Sequence, residues 1–213
     1  MVRLHSVWLV PVALTLLGFE PGAEAIAQTT YPFDAVYDAE IITTPIEGNI
    51  SKTTETGESA NAPYGLTNLK ITNYAELNPE TGVFTYGPSP ATFGLEGLPP
   101  GTFTLFGDES DKVFGTLSGS VLADFENLVG TGSATITITG GEGLFSGATG
   151  TLELLENDTF SPDPTAPIDA EFSISGSIQT VPEPTTNTTL IGIGMIGVSF
   201  LLYSRRSSRK VAE

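Results

Sequence analysis

The 213-residue sequence has no cysteine, one histidine and one tryptophan, and its few arginines are confined to the two ends. His5, Trp8 and Arg3 lie within the first eight residues; the other arginines are Arg205, Arg206 and Arg209. From Gln28 to Thr180 there is no Cys, His, Trp, Met or Arg, and 21 acidic residues stand against three lysines, Lys52, Lys70 and Lys112. Each absence excludes a class of chemistry. Without Cys there is no disulfide framework and no thiol nucleophile. Without His or Cys the middle of the chain cannot build a Ser-His-Asp or Cys-His site, a structural zinc site or a His- or Cys-ligated haem. With no Arg and so negative a field, nucleic acid is not an expected partner. Carboxylates, hydroxyls and three lysines remain as the chemical repertoire of a segment long enough to bury one core.

The positive charges mark two topogenic ends. Arg3 precedes an apolar run of 13 residues, Val7 to Phe19, and a stretch that ends in small residues through Ala23, Ala25 and Ala27. This is the three-zone pattern of a secretory signal, with Ala25 and Ala27 at the small-x-small site of signal peptidase and residues 1–27 removed. The alternative, an uncleaved anchor, would need about 20 apolar residues to span a bilayer. At the other end, Val181-Pro182-Glu183-Pro184 and a polar spacer precede a 14-residue run, Leu190 to Tyr203. Its apolar residues are Leu190, Ile191, Ile193, Ile196, Val198, Phe200, Leu201, Leu202 and Tyr203. Counting flanking residues, a membrane helix is expected over about 188–204, with Arg205, Arg206, Arg209 and Lys210 behind it on the cytoplasmic side. The acidic body would then lie outside the cell. Gly192, Gly194 and Gly197 satisfy a GxGxxG pattern, but no βαβ unit surrounds them, so the glycines read as a smooth face for close helix packing.

A Pro-Glu-Pro triplet, a short hydrophobic helix and an Arg-rich end together resemble the bacterial PEP-CTERM sorting signal. Pro182, Glu183 and Pro184 match its motif, and Arg205 and Arg206 its basic end. The resemblance implies processing by a membrane-embedded protease, the exosortase, near the triplet. It also implies passage through the envelope to the cell surface or the extracellular space, in bacteria that make exopolysaccharide. An ordinary tail anchor that is never cut is the alternative.

Between the ends, at 28–180, period-two alternation replaces any 3.6-residue periodicity. Ser133 to Thr139 alternates without error, Phe172 to Ile178 nearly so, and Val113, Leu117 and Val121 share a strand face with Gly115 and Gly119. Further strands are expected at Ala35 to Thr43, Asn68 to Ala75, Val83 to Tyr86, Thr92 to Leu95, Thr102 to Phe106 and Thr151 to Leu155. Gly- and Pro-rich turns separate them. Nine or so short strands predict a single all-β domain, an antiparallel sandwich or barrel. The run Gly140 to Gly150 holds five glycines around Phe145, and reads as a structural turn with Phe145 as the plug that anchors it. With Ala62 to Asn68, this run resembles phrases of exported cyanobacterial-type β-domain proteins that bear the same tail. Its segment Phe145-Ser146-Gly147-Ala148-Thr149-Gly150 is similar to small β-barrels of the allene oxide cyclase type, a likeness that carries no catalytic residue across.

No catalytic or cofactor residue is therefore assigned. No cofactor is expected; calcium is the weak alternative, on the acidic loops Asp108-Glu109-Ser110-Asp111 and Glu156-Asn157-Asp158, for which a solvated acidic loop is the commoner explanation. Binding to an acidic exopolysaccharide would need bridging cations. The expected function is a non-enzymatic envelope or matrix domain for structure, binding or adhesion. The alternative is a secreted carboxylate-dependent hydrolase or isomerase. An apolar cavity with facing carboxylates would favour the enzyme, and a filled core with acids only on the surface would exclude it.

Overall fold

A computed structural model describes residues 28–107, 110–163 and 165–181. Ala25 and Ala27, the Pro182-Glu183-Pro184 triplet, the helix expected at 188–204, and Arg205 and Arg206 lie outside the described residues, as do Asp108 and Glu109. Among the described residues no helix is long and apolar enough to cross a membrane.

Thr, Val and Ile, whose branched Cβ suits a pleated surface, recur through nine strands. These are β1 (Thr29–Glu47), β2 (Ile50–Glu58), β3 (Asn68–Asn78), β4 (Val83–Gly87), β5 (Thr102–Phe106), β6 (Lys112–Asp124), β7 (Val129–Glu142), β8 (Thr149–Thr159) and β9 (Ile168–Thr180). Every pairing is antiparallel. β1 pairs with both β2 and β9, and the remaining pairings close the sheet on itself. The choice between sandwich and barrel thus falls to a barrel, which leaves no long free edge. β4 and β5 share one position: β3 pairs β5 through Asn68–Thr72 and β4 through Tyr74–Asn78, and β6 does likewise. The barrel therefore has eight staves, one of them interrupted by the excursion from Pro88 to Gly101. The Gly101 N–H donates to Pro88 O at 2.7 Å and closes that excursion. The Tyr74 hydroxyl, donating to Pro99 O at 2.7 Å, holds it against the outer wall.

Two sequence expectations change. Thr92 to Leu95 forms no strand: Pro90–Phe93 is a 3-10 turn ended by Gly94 in the left-handed region (φ 73°). The proline has no N–H for a ladder, and the turn lies within the excursion. β2 was not expected at all, because its inward side is Ser51, Thr53, Glu55 and Gly57, with no apolar residue to mark a period of two.

The two ends of the barrel differ. At the end where β1 begins and β9 finishes, the lumen is filled. Phe145 is fully buried and packs edge-to-face on Tyr31 and Tyr64, with ring centroids 5.3 and 5.9 Å apart. The Tyr37 hydroxyl donates to Leu66 O beneath them, and its burial raises its pKa. Gly143 and Gly147, at φ 61° and 68°, let the β7–β8 turn fold inward so that Phe145 enters. The plug expected at Phe145 is what the structure shows. Leu152, Leu154, Phe172, Ile174, Ile136 and Leu117 fill the middle. The other end is open.

Candidate functional site

The open end is a cavity of about 380 Å³. Its wall is built by the second half of β1, the start of β2, β4, the end of β6, the end of β8 and the β8–β9 connection. Ile41, Val121, Leu128 and Ile168 supply apolar wall. Phe84, Phe125 and Phe160 form an aromatic rim, with ring centroids 6.4 Å apart for Phe84–Phe125 and 5.8 Å for Phe125–Phe160. Leu128 takes a left-handed backbone (φ 58°), a conformation a branched side chain adopts only under constraint. Its carbonyl accepts from Phe160 N–H at 2.9 Å, which ties the two rim loops together.

Three carboxylates from the strands project into this cavity, Glu55 from β2 and Glu156 and Asp158 from β8, and Asp163 of the β8–β9 connection lines it as an exposed fourth. The three from the strands are buried. The β8 pair lies here because the alternation of Leu152 and Leu154 simply continues: positions 156 and 158 share the inward face. Glu156-Asn157-Asp158 is thus not the solvated loop expected from sequence. It is strand, and only Asn157 points out. Across the ladder, Gly132 stands opposite Glu156 and Gly130 opposite Asp158. A Cβ at Gly130 would come within 2.8 Å of Asp158 Oδ2, so the absence of a side chain there leaves space for the carboxylate.

Desolvation dominates the electrostatics, because moving a carboxylate out of water disfavours its charged form. Glu55 is raised to about 7 by burial, with Thr53 Oγ1 donating to its Oε1 at 3.0 Å and partly offsetting the shift. Glu156 and Asp158 titrate as a pair. Burial raises both, Asp158 to about 6 and Glu156 to about 9, the latter pushed further by the negative charges of Asp158 and Glu55. Tyr86 Oη donates to Glu156 Oε2 at 2.8 Å. Burial and these neighbouring charges hold its phenol protonated. At neutral pH the pocket therefore offers a protonated carboxyl, an ionised one and a phenol. Asp158 Oδ1 is buried with no hydrogen-bond partner. Among the described residues no basic side chain lines the cavity, and Lys112 pairs with Glu142 at 3.0 Å.

Glu55 escaped the sequence reading as a site residue. Nothing local marks Glu55, whereas the β8 acids were detectable from the Leu-x-Leu-x-Glu-x-Asp register. Of the tyrosines, Tyr31 and Tyr64 belong to the plug, Tyr74 holds the excursion, and Tyr86 alone lines the acidic cavity. Asp111, from the other acidic loop, accepts from Leu144 N–H at 2.8 Å and steadies the β7–β8 turn. Among the described residues, no group of three acidic side chains is gathered closely enough to hold a metal ion.

The chain leaves the barrel at the plugged end, through Thr180, the last residue of β9. Residues 180–206, which begin there, match the PEP-CTERM protein-sorting motif. The chain carries a PEP-CTERM sorting signal. The protein is therefore exported, processed at the membrane by an exosortase, and delivered to the cell surface or the extracellular space. Comparisons with curated proteins and with solved structures find no match. Because the PEP-CTERM motif follows β9 directly, a cut near Pro184 would leave every stave of the barrel intact. Mass spectrometry of the mature protein is expected to find an N-terminus at Gln28 and a C-terminus near Pro184. A peptide containing Arg205 in the mature form would refute processing.

Proposed function

We propose that the exported barrel is a small-molecule-binding module of the envelope or matrix, with the acidic cavity as its binding site. The observation that carries this reading is a one-ended cup. One mouth is closed by Phe145, and the other opens onto a volume typical of the smaller ligand pockets, apolar-walled with a few convergent polar groups. An eight-stave barrel is wide enough either to be filled by side chains or to hold one small ligand. Here the first half is filled and the second is not. The PEP-CTERM tail leaves from the plugged end, so while the chain is held by that tail the mouth faces away from the attachment. Signal peptidase would remove residues 1–27 beforehand. Any contact of the acidic outer wall with exopolysaccharide would run through bridging cations, since Asp38, Glu40, Asp169 and Glu171 lie at paired positions on β1 and β9.

A second reading, a carboxylate-dependent isomerase or hydrolase, is favoured by the apolar cavity with carboxylates from β2 and β8, the feature expected of the enzyme, and by their titration. The raised carboxyl of Glu156 beside Tyr86 and the more acidic Asp158 is the pairing that general acid–base catalysis uses. Binding without turnover separates the two.

The neutral dye N-phenyl-1-naphthylamine is expected to bind one per barrel with enhanced fluorescence. Ala75→Phe, which projects into the cavity from β3, is expected to abolish that binding while the protein still melts cooperatively. Dye binding that survives this substitution would place the site elsewhere.

A further inference from the structure

The cavity collects hydrogen-bond acceptors and almost no donors. Among the described residues, the oxygens of Glu55, Glu156 and Asp158 receive the hydroxyls of Thr53 and Tyr86 and the one proton that Glu156 shares with Asp158. Asp158 is 6% exposed, lines the cavity, and its Oδ1 has no partner at all. A buried acceptor left unpaired is costly, and buried ionised groups are ordinarily paired with an opposite charge. The described residues supply none: the charged and titratable groups facing the cluster are Tyr86 on β4 and Asp163 in the β8–β9 connection, while β1, β3, β6 and β9 contribute Ile41, Thr43, Ala75, Val121 and Ile168. Among the described residues no positive charge faces the cluster, and Glu156, which holds its proton at neutral pH, is the one acid that can donate. Among the described residues no group of three acids forms a metal site, whereas an ammonium group carries several N–H donors at once and the positive charge the acids lack.

The rim adds a second, independent requirement. Phe84, Phe125 and Phe160 surround the mouth, and Phe125 is 54% exposed although it is a large apolar side chain. Aromatic faces accept apolar groups and attract cations. They offer nothing to a hydrophilic ion.

We propose that the cup binds a small amphipathic organic cation, a protonated amine whose ammonium sits on Asp158, Glu156 and Glu55 and whose apolar body lies against Phe84, Phe125 and Phe160. This rests on the reading of the lumen as a binding site and adds the chemical class of its ligand. An ammonium donating to Asp158 Oδ1 satisfies the orphaned acceptor and supplies the charge the lumen lacks. It also accounts for acids gathered in a position where each one, taken alone, destabilises the barrel. Because the cluster gains negative charge as pH rises while an aliphatic amine stays protonated to about pH 10, binding tightens from pH 5 to pH 8.

Three probes of one shape test this: 2-phenylethylamine, 2-phenylethanol and phenylacetate. Each is titrated by calorimetry into the full-length protein in detergent, with calcium chloride as a fourth titrant. At pH 8 the amine is expected to bind at least about tenfold more tightly than the alcohol, the scale of a charge-assisted hydrogen bond. Phenylacetate is expected not to bind, and the amine to weaken several-fold at pH 5. Asp158→Asn should remove about tenfold of the amine's affinity and leave the alcohol's within about twofold. Equal binding of amine and alcohol would overturn the ligand class and leave the lumen as an apolar site. Failure of all three organic probes would overturn the lumen reading itself. Calcium that displaces the amine and depends on Asp158 would overturn the amine in favour of a metal.

Discussion

Glu156→Gln is expected to raise stability at pH 8 by at least about 2 kcal/mol, and to do so far less at pH 5. A carboxyl whose folded pKa lies above its unfolded value holds its proton in the barrel over a pH range where the unfolded chain has released it. Stability is then greatest below the unfolded value and declines as pH rises to the folded one. Glu156 is raised to about 9, Glu55 to about 7 and Asp158 to about 6, so the window runs from the ordinary carboxylate range up to about 9. Each unit of displacement corresponds to about 1.4 kcal/mol. The substitution keeps the shape: the amide oxygen can accept from Tyr86 Oη, and the amide nitrogen can donate to Asp158. Asp124 and Asp163 shift in the opposite direction through hydrogen bonds to their own turns, but both are fully exposed. Thermal melts of wild type and variant from pH 5 to pH 9 measure the effect. Parallel pH profiles for the two proteins would mean that Glu156 is solvated in the folded state and that the cup is not dry. The expected sign reverses the habit of most proteins, which acid destabilises. A group that costs stability at neutral pH yet stands at the floor of a cavity fits a binding role better than a structural one.

Phe145→Ala is expected to cost about 3–5 kcal/mol, the range for deleting a buried phenylalanine. Phe145 is fully buried and forms the centre of the plug, with Tyr31 and Tyr64 edge-on against it. Such aromatic pairs add about 0.5–1.5 kcal/mol beyond the buried area. Its neighbour Leu144 is 45% exposed, so Leu144→Ala is expected to change stability by less than about 0.5 kcal/mol. Urea unfolding of the two variants separates a plug from a flexible turn. A cost below about 1 kcal/mol at Phe145 would show that the closed end does not depend on that ring. Because Leu152, Leu154, Phe172 and Ile174 still fill the middle of the lumen, the cavity at the open end is expected to keep its floor in this variant.

How much of this was legible beforehand depended on how each residue's role is encoded. Ser133 to Thr139 alternates perfectly and lies on β7; Phe172 to Ile178 lies on β9; and the glycine-rich run forms the turn that carries Phe145 inward. In these places one strand face is apolar, so burial and local pattern report the same thing. β2 has an inward face of Ser51, Thr53, Glu55 and Gly57, and its place in the barrel comes from its ladders with β1 and β3. Local pattern could not reveal a strand whose buried side is polar. For the same reason Glu156 and Asp158 read as a loop, although they continue the register of Leu152 and Leu154.

Export and sorting were decidable from linear order alone. A signal peptide and a PEP-CTERM tail are read by cellular machinery as contiguous segments, so their residues and spacing carry the information. The absence of His, Cys and Arg between Gln28 and Thr180 likewise limits the chemistry there to carboxylates, hydroxyls and three lysines. The grouping of those carboxylates was a different matter. Glu55, Tyr86 and Glu156 are separated by 31 and 70 residues in the chain and meet only because β2, β4 and β8 turn their faces toward one lumen. Closure of the sheet brought them out of water together, and it is that shared desolvation, a property of no single segment, that converts surface-type acids into an acidic cup.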